Sequence, residues 1–175
     1  MCPLDSFAPM SGPGLLRDEM EPPARTWVRG EYTLSTDRER LDLGVIHGFL
    51  DRSYWAAGRS VERVARSIDA SLPIGLYHRT EQVGFARLVT DCVVIGFLAD
   101  VFVLEAHRGR GLGVWLVDTL LGLPEIARVR RLLLGTRDAH GLYAKFGFTE
   151  PPAGVLMGKL NPDADREPDA IQNRT

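Results

Sequence analysis

Only two cysteines, Cys2 and Cys92, occur in 175 residues, too few for a disulfide framework. No apolar run approaches the roughly 20 residues of a membrane-spanning helix. The N-terminus lacks a basic segment followed by an apolar core, so no secretory signal is expected. A formal net charge of −2 argues against a nucleic-acid-binding surface. The four histidines and scattered acids show no helix-spaced pair that suggests a metal site, so none is expected. Internal repeats are also lacking. What remains is ordinary: 45% apolar and 25% charged residues, in a length that suits one domain. A cytoplasmic globular domain is the expectation.

Both ends read as tails. Residues 1–25 hold five prolines and no sustained periodicity, which predicts disorder. From Asn161 the chain is polar and turn-rich, so residues 161–175 are a solvated tail. Its alternating acids lack the glycine and the closing Glu of a calcium loop. The folded domain is placed at 26–160.

Within it, Trp27 to Leu34 alternates like a strand. A helical stretch after Thr36-Asp37 brings Leu41, Leu43, Ile46, Phe49 and Leu50 to one side. Ser60 is positioned to cap a second helix bearing Val61, Val64, Ala65 and Ile68, with Glu62 suited to its positive end. Arg63 stands where a full capping box needs Glu or Gln. Strands are expected over 74–78, 82–90 and 92–104, the last interrupted at Gly96 and Asp100. A helix from Gly111, a strand over 132–136, a short helix and a final strand follow. Strands and helices in this order predict an α/β layer architecture.

The most informative segment is the apolar strand ending at Leu104, followed by Arg108-Gly109-Arg110-Gly111-Leu112-Gly113 and a helix. Such a turn suits an anion, because glycines let backbone N–H groups approach it and the helix dipole favours negative charge there. No Gly-Lys-Ser/Thr follows, so it is not a P-loop. A Gly-x-Gly-x-x-Gly fingerprint fails at Val114 in one register and at Leu116 in the other. The pattern that fits is Arg/Gln-x-x-Gly-x-Gly/Ala, with Arg108, Gly111 and Gly113 in register. Downstream, Ala139, Leu142-Tyr143 and Gly147-Phe148 form a second signature, with the tyrosine thirty residues beyond Gly113. In these two motifs and their order the chain resembles the GNAT superfamily of N-acetyltransferases, over roughly residues 26–160.

The resemblance implies the GNAT acyl-CoA N-acyltransferase fold, a mixed, mostly antiparallel central sheet with splayed strands flanked by helices. It implies acetyl-CoA as acyl donor, with no metal. The pyrophosphate would lie on Arg108, Gly109, Arg110, Gly111, Leu112 and Gly113. The pantetheine arm would bond to the main chains of Phe102, Val103 and Leu104, the amide of Leu104 or its neighbour meeting the thioester carbonyl. Tyr143 aligns with the family's general acid beside the coenzyme sulfur; a phenol, with pKa near 10, carries a proton to give. Its alternative role is packing under the turn. Thr136 stands where many relatives have an asparagine, which puts that coenzyme contact in doubt, and Arg137 or Asp138 could replace it.

An acid inside an apolar run needs a reason, so Asp100 is a candidate general base, or else a backbone anchor at the splayed strand. Glu105, Asp91 and His78 are rivals, and some relatives use only water. His107 and His140 read as loop residues. Tyr54, Trp55, Tyr77, His78 and Arg87 are candidate walls for the amine, with Trp55 also readable as a hydrophobic plug. The implied reaction is acetyl transfer to a primary amine of a small molecule or peptide. A non-catalytic acyl-CoA sensor, a transferase for another acyl-CoA and a module for some other anion remain as alternatives. Dimers are common in the family.

Overall fold

The computed structural model describes residues 23–159 and 161. The two tails and Cys2 therefore lie outside the described residues, apart from residues 23–25 and 161. Six strands form one sheet in sequential order: β1 (Thr26–Arg29), β2 (Tyr32–Ser35), β3 (Leu72–His78), β4 (Glu81–Thr90), β5 (Ile95–Val103) and β6 (Arg131–Leu134). All neighbours pair antiparallel except β5 with β6, which run parallel. The helices are α1 (Leu43–Leu50), α2 (Val61–Asp69), α3 (Leu112–Leu121) and the short α4 (His140–Tyr143). This is the mixed, mostly antiparallel α/β architecture anticipated from sequence.

The strand expected over 27–34 is a hairpin. Gly30, at φ +61°, and Glu31 make its two-residue turn between paired Arg29 and Tyr32. Ser60 does cap α2, its hydroxyl accepting from Arg63 N–H at 3.3 Å. The stretch after Asp37 divides into a 3₁₀ turn over Arg38–Arg40 and then α1, each begun by an aspartate side chain accepting a backbone N–H. The final strand expected before residue 160 does not form among the described residues.

Two apolar layers sandwich the sheet. On one face α1 and α2 bring Ile46, Leu50, Val64 and Ile68 against Phe85 and Phe102. On the other, Leu112, Leu116, Val117 and Leu120 of α3 pack on Leu34, Ile74, Leu76 and Leu88. Bulges interrupt the ladder between Leu76 and Tyr77 and between Phe85 and Arg87. At the second, Asp100 and Val101 oppose the single residue Ala86, and Asp100 takes φ +53°. A bulge sharpens local twist and redirects its strand. Pairing of β5 with β6 ends just before it, at Leu98 and Leu134, while β5 continues to Val103. The two parallel strands thus part company beside the glycine turn.

Tyr77 is 2% exposed, and its hydroxyl is buried without a hydrogen-bond partner among the described residues. An unpaired buried hydroxyl costs stability. Tyr77→Phe is expected to raise stability at pH 7 by about 1 kcal/mol, read from the urea midpoint. Burial also pushes the Tyr77 hydroxyl up from 10.0 to about 12. The folded state therefore holds this proton more tightly than the unfolded chain, and stability declines as pH rises from about 10 to about 12. The variant should lose less over that window; a lower midpoint at pH 7 would show that the hydroxyl has a partner.

Candidate active site

The bulge and the parting of β5 from β6 create two adjoining clefts with Tyr143 in the wall of both. One, of about 840 Å³, runs past the end of β5 to Arg108 and Gly113. The other, of about 550 Å³, is walled by Tyr54, Trp55, Arg59, Arg87 and the strand around Asp100.

The glycine turn has the geometry an anion needs. Gly109 and Gly111 sit at φ +75° and +72°, in the left-handed region that side chains disfavour, and Gly111 caps α3 without a side chain. Arg108 turns back, Nε donating to the Val103 carbonyl at 2.9 Å, and fixes the turn to β5. Sequence reasoning missed Arg29. It arrives from β1, its guanidinium nitrogens 3.8 and 3.9 Å from where a Cβ on Gly111 would lie. Nothing local marks such a residue, because β1 meets the turn only through the tertiary fold.

Leu104 donates its N–H to Val83 O at 2.8 Å, across to β4. Of the amides expected at the thioester carbonyl, Leu104 or its neighbour, that of Leu104 is therefore already committed to β4. Main-chain groups alternate between the two edges of a strand, so Phe102, paired with Phe85, also faces β4, and Val103 turns its amide to the parted edge. Of the three main chains proposed for the pantetheine arm, Val103 is the one directed at the gap. Phe102 instead supports the wall, its ring stacked on Phe49 at 4.0 Å and 9°.

Tyr143 ends α4 and is 8% exposed. Its ring packs edge-on to Phe148, with centroids 6.1 Å apart. Burial, then the nearby Tyr54 and Asp138, push its hydroxyl up to about 12. Thr136 accepts from Ala139 N–H at 3.0 Å and so shapes the entry to α4 while lining the second cleft. Arg137 stacks on Tyr54, Cζ 3.5 Å from the ring centroid, and its N–H donates to the Tyr54 hydroxyl at 3.0 Å.

Asp100 is held by two guanidiniums. Arg87 Nε donates to Oδ2 at 2.6 Å, and Arg59 Nη1 lies 3.1 and 3.2 Å from the two carboxylate oxygens. Both oxygens are thus engaged by arginine side chains and not by the backbone contact expected from sequence, which favours an anchoring role over that of base. The rival bases lie elsewhere. Asp91 caps the N–H groups of Val93, Val94 and Ile95, bonds that hold its carboxyl below the usual range. His78 joins Tyr32 and His107 in a ring cluster outside both clefts. Burial and then His78 lower the His107 imidazole. Glu105 lines the larger cleft but is largely exposed, 3.5 Å from Arg108.

Of the amine-wall candidates, Tyr54, Trp55 and Arg87 line the second cleft and Tyr77 does not. Tyr77 is buried over Gly75 with Arg40 on its ring at 4.3 Å, near the start of α1. Trp55 is no plug: it is 38% exposed, and the neighbouring Ala56, at 4%, fills the core. Arg59 was not anticipated, since a lone arginine after Gly58 reads as a solvated turn residue. No three His, Cys, Asp or Glu side chains gather as a metal site among the described residues. None of their helices is long and apolar enough to cross a membrane.

Comparison with known proteins assigns the class to which this fold and its clefts belong. The family model described as an acetyltransferase (GNAT) domain matches residues 73–150. A Gibberella zeae protein named as an acetyltransferase is 31% identical, over 69% of this chain and 80% of its own length. A crystal structure from Xanthomonas campestris pv. campestris, named as a GNAT-family acetyltransferase, is 40% identical with a TM-score of 0.73, covering 78% of this chain and 97% of that one. The chain belongs to the GNAT family of acetyltransferases. A Clostridium acetobutylicum protein solved with acetyl-CoA shares the fold at 12% identity and TM-score 0.55, covering 73% of this chain and 94% of its own.

Proposed function

We propose that the protein transfers an acetyl group from acetyl-CoA to a primary amine by direct attack. The observation that carries this reading is the gap between β5 and β6, which joins the glycine turn to the arginine-walled cleft with Tyr143 between them. The turn, with Arg29, Arg108 and Arg110, holds the pyrophosphate. The Val103 amide, at the parted edge, holds the pantetheine arm. In the transfer the amine nitrogen bonds to the thioester carbon and the carbon–sulfur bond breaks. Tyr143 donates toward the departing sulfur, and the nitrogen's proton leaves to water. Asp100 serves as anchor: it stabilises the bulge and fixes Arg59 and Arg87.

Calorimetric titration with acetyl-CoA tests this reading, beside 3′-dephospho-CoA, ATP and NAD as comparison ligands. Micromolar binding of acetyl-CoA is expected, with ATP and NAD silent. Absence of acetyl-CoA binding removes the proposal; binding without free-thiol release to any amine assigns the protein to acyl-CoA sensing.

A further inference from the structure

The second cleft holds more positive charge than its own carboxylates balance. Its lining carries three guanidiniums, Arg59, Arg87 and Arg137, against the carboxylates of Asp100 and Asp138. Arg87 and Asp100 form a closed pair: Nε to Oδ2 is 2.6 Å, and the side chains are 9% and 2% exposed. Arg137 is engaged at the rim with Tyr54. Arg59 is therefore a second cation set on a carboxylate already paired, and its side chain is 29% exposed. Nη2 makes only a 3.4 Å contact with Trp55 O, and Nε has no partner among the described residues. A guanidinium fork with unused donors facing a cleft is a receptor for a planar anion.

Much of the remaining wall is apolar. Trp55, Val89 and Phe97 are 38–45% exposed, unusual for such residues unless something covers them, and all line this cleft.

Resting on the acetyl-transfer reading, we propose that the acceptor is an amine bearing a carboxylate and an apolar body, an amino-acid-like molecule whose carboxylate is bound by Arg59. The surplus of one charge fits a carboxylate; a phosphate monoester brings nearly two.

The test uses the full chain with saturating acetyl-CoA and free-thiol release, on acceptors that differ only in the carboxylate. Phenylalanine is set against phenethylamine and leucine against isopentylamine, with 2-aminoethyl phosphate as the phosphate arm. The carboxylated member should lead in kcat/KM by about ten- to a hundredfold, the worth of a hydrogen-bonded charge. In Arg59→Met the ratio should fall to near one, and Arg59→Lys should restore part of it. Because a ratio is independent of the folded fraction, partial misfolding does not blur the result. Equal turnover of each pair, a ratio that survives in Arg59→Met, a preference for the phosphate, or no turnover of any of these acceptors overturns the proposal. Failure of acetyl-CoA to bind, seen in the separate titration, overturns instead the reading beneath it.

Discussion

Gly111→Glu is expected to weaken acetyl-CoA binding at least about a hundredfold, a loss of about 2.7 kcal/mol or more. A Cβ at this position meets nothing closer than Arg29, 3.8 Å away, so the effect is not a steric clash. Backbone strain and charge act instead. The residue sits at φ +72°, where a side chain costs about 1–2 kcal/mol, a penalty on the fold that also disturbs the turn. Charge matters more. A carboxylate here lies within reach of Arg29, neutralises it, and occupies the helix N-terminus that the pyrophosphate needs. Gly111→Ala carries the strain without the charge and separates the two: it should lose no more than about tenfold. Titration calorimetry on both variants, with circular dichroism to verify folding, gives the comparison. Undiminished binding by Gly111→Glu would place the phosphates elsewhere.

The sequence discloses what is local and hides what depends on pairing. Ser60 announces α2 because a cap is a property of four adjacent residues. The glycine turn and Tyr143 are legible because fixed spacings within one segment define them. Tyr77 is misplaced by sequence reasoning for the opposite reason. Its place in a strand after the first two helices suggests a cleft wall, whereas the fold lays its ring over Gly75 with Arg40 upon it, near the start of α1. Asp100 stands out as anomalous in sequence, yet its partners come from a turn 41 residues before it and a strand 13 residues before it. The Gly30-Glu31 turn is hidden because the flanking alternation continues across it. Arg29 and Arg59 are ordinary arginines until the fold brings one beside Gly111 and the other to the second cleft.

Asp100 also shows how stability and function share one device. Its left-handed conformation is tolerable for an aspartate, whose short side chain suits that region better than most. The bulge redirects β5 away from β6, and the two arginines hold that bulge while presenting Arg59 to the cleft. Separation of the strands, anchoring and the cationic wall of the second cleft thus meet at a single irregularity in the ladder.

Tyr143→Phe should lower kcat with little change in acetyl-CoA affinity, and the pKa decides how far. General acids contribute about 10²–10⁴-fold when matched to their task. Tyr143 is held at about 12, whereas a thiol is near 8.5, so complete proton transfer within the cleft is uphill by about 5 kcal/mol. In the proposed reaction the phenol therefore acts mainly as a hydrogen-bond donor whose bond strengthens as charge builds on sulfur. Such a bond to a charged atom is worth about 1.5–3 kcal/mol, so kcat should fall about ten- to a hundredfold, the low end of general-acid effects. The phenylalanine ring keeps the edge contact with Phe148, and KM for acetyl-CoA should stay within about threefold. The pH profile separates this role from packing. Because Tyr143 gives up its proton only near 12, it imposes no falling limb on kcat below about pH 11, while deprotonation of the amine raises the rate. A wild-type profile that falls between pH 8 and 10, and flattens in Tyr143→Phe, would assign the tyrosine a far lower pKa than its burial supports. An unchanged kcat would remove it from the reaction, leaving a buried ring that only closes the gap between β5 and β6.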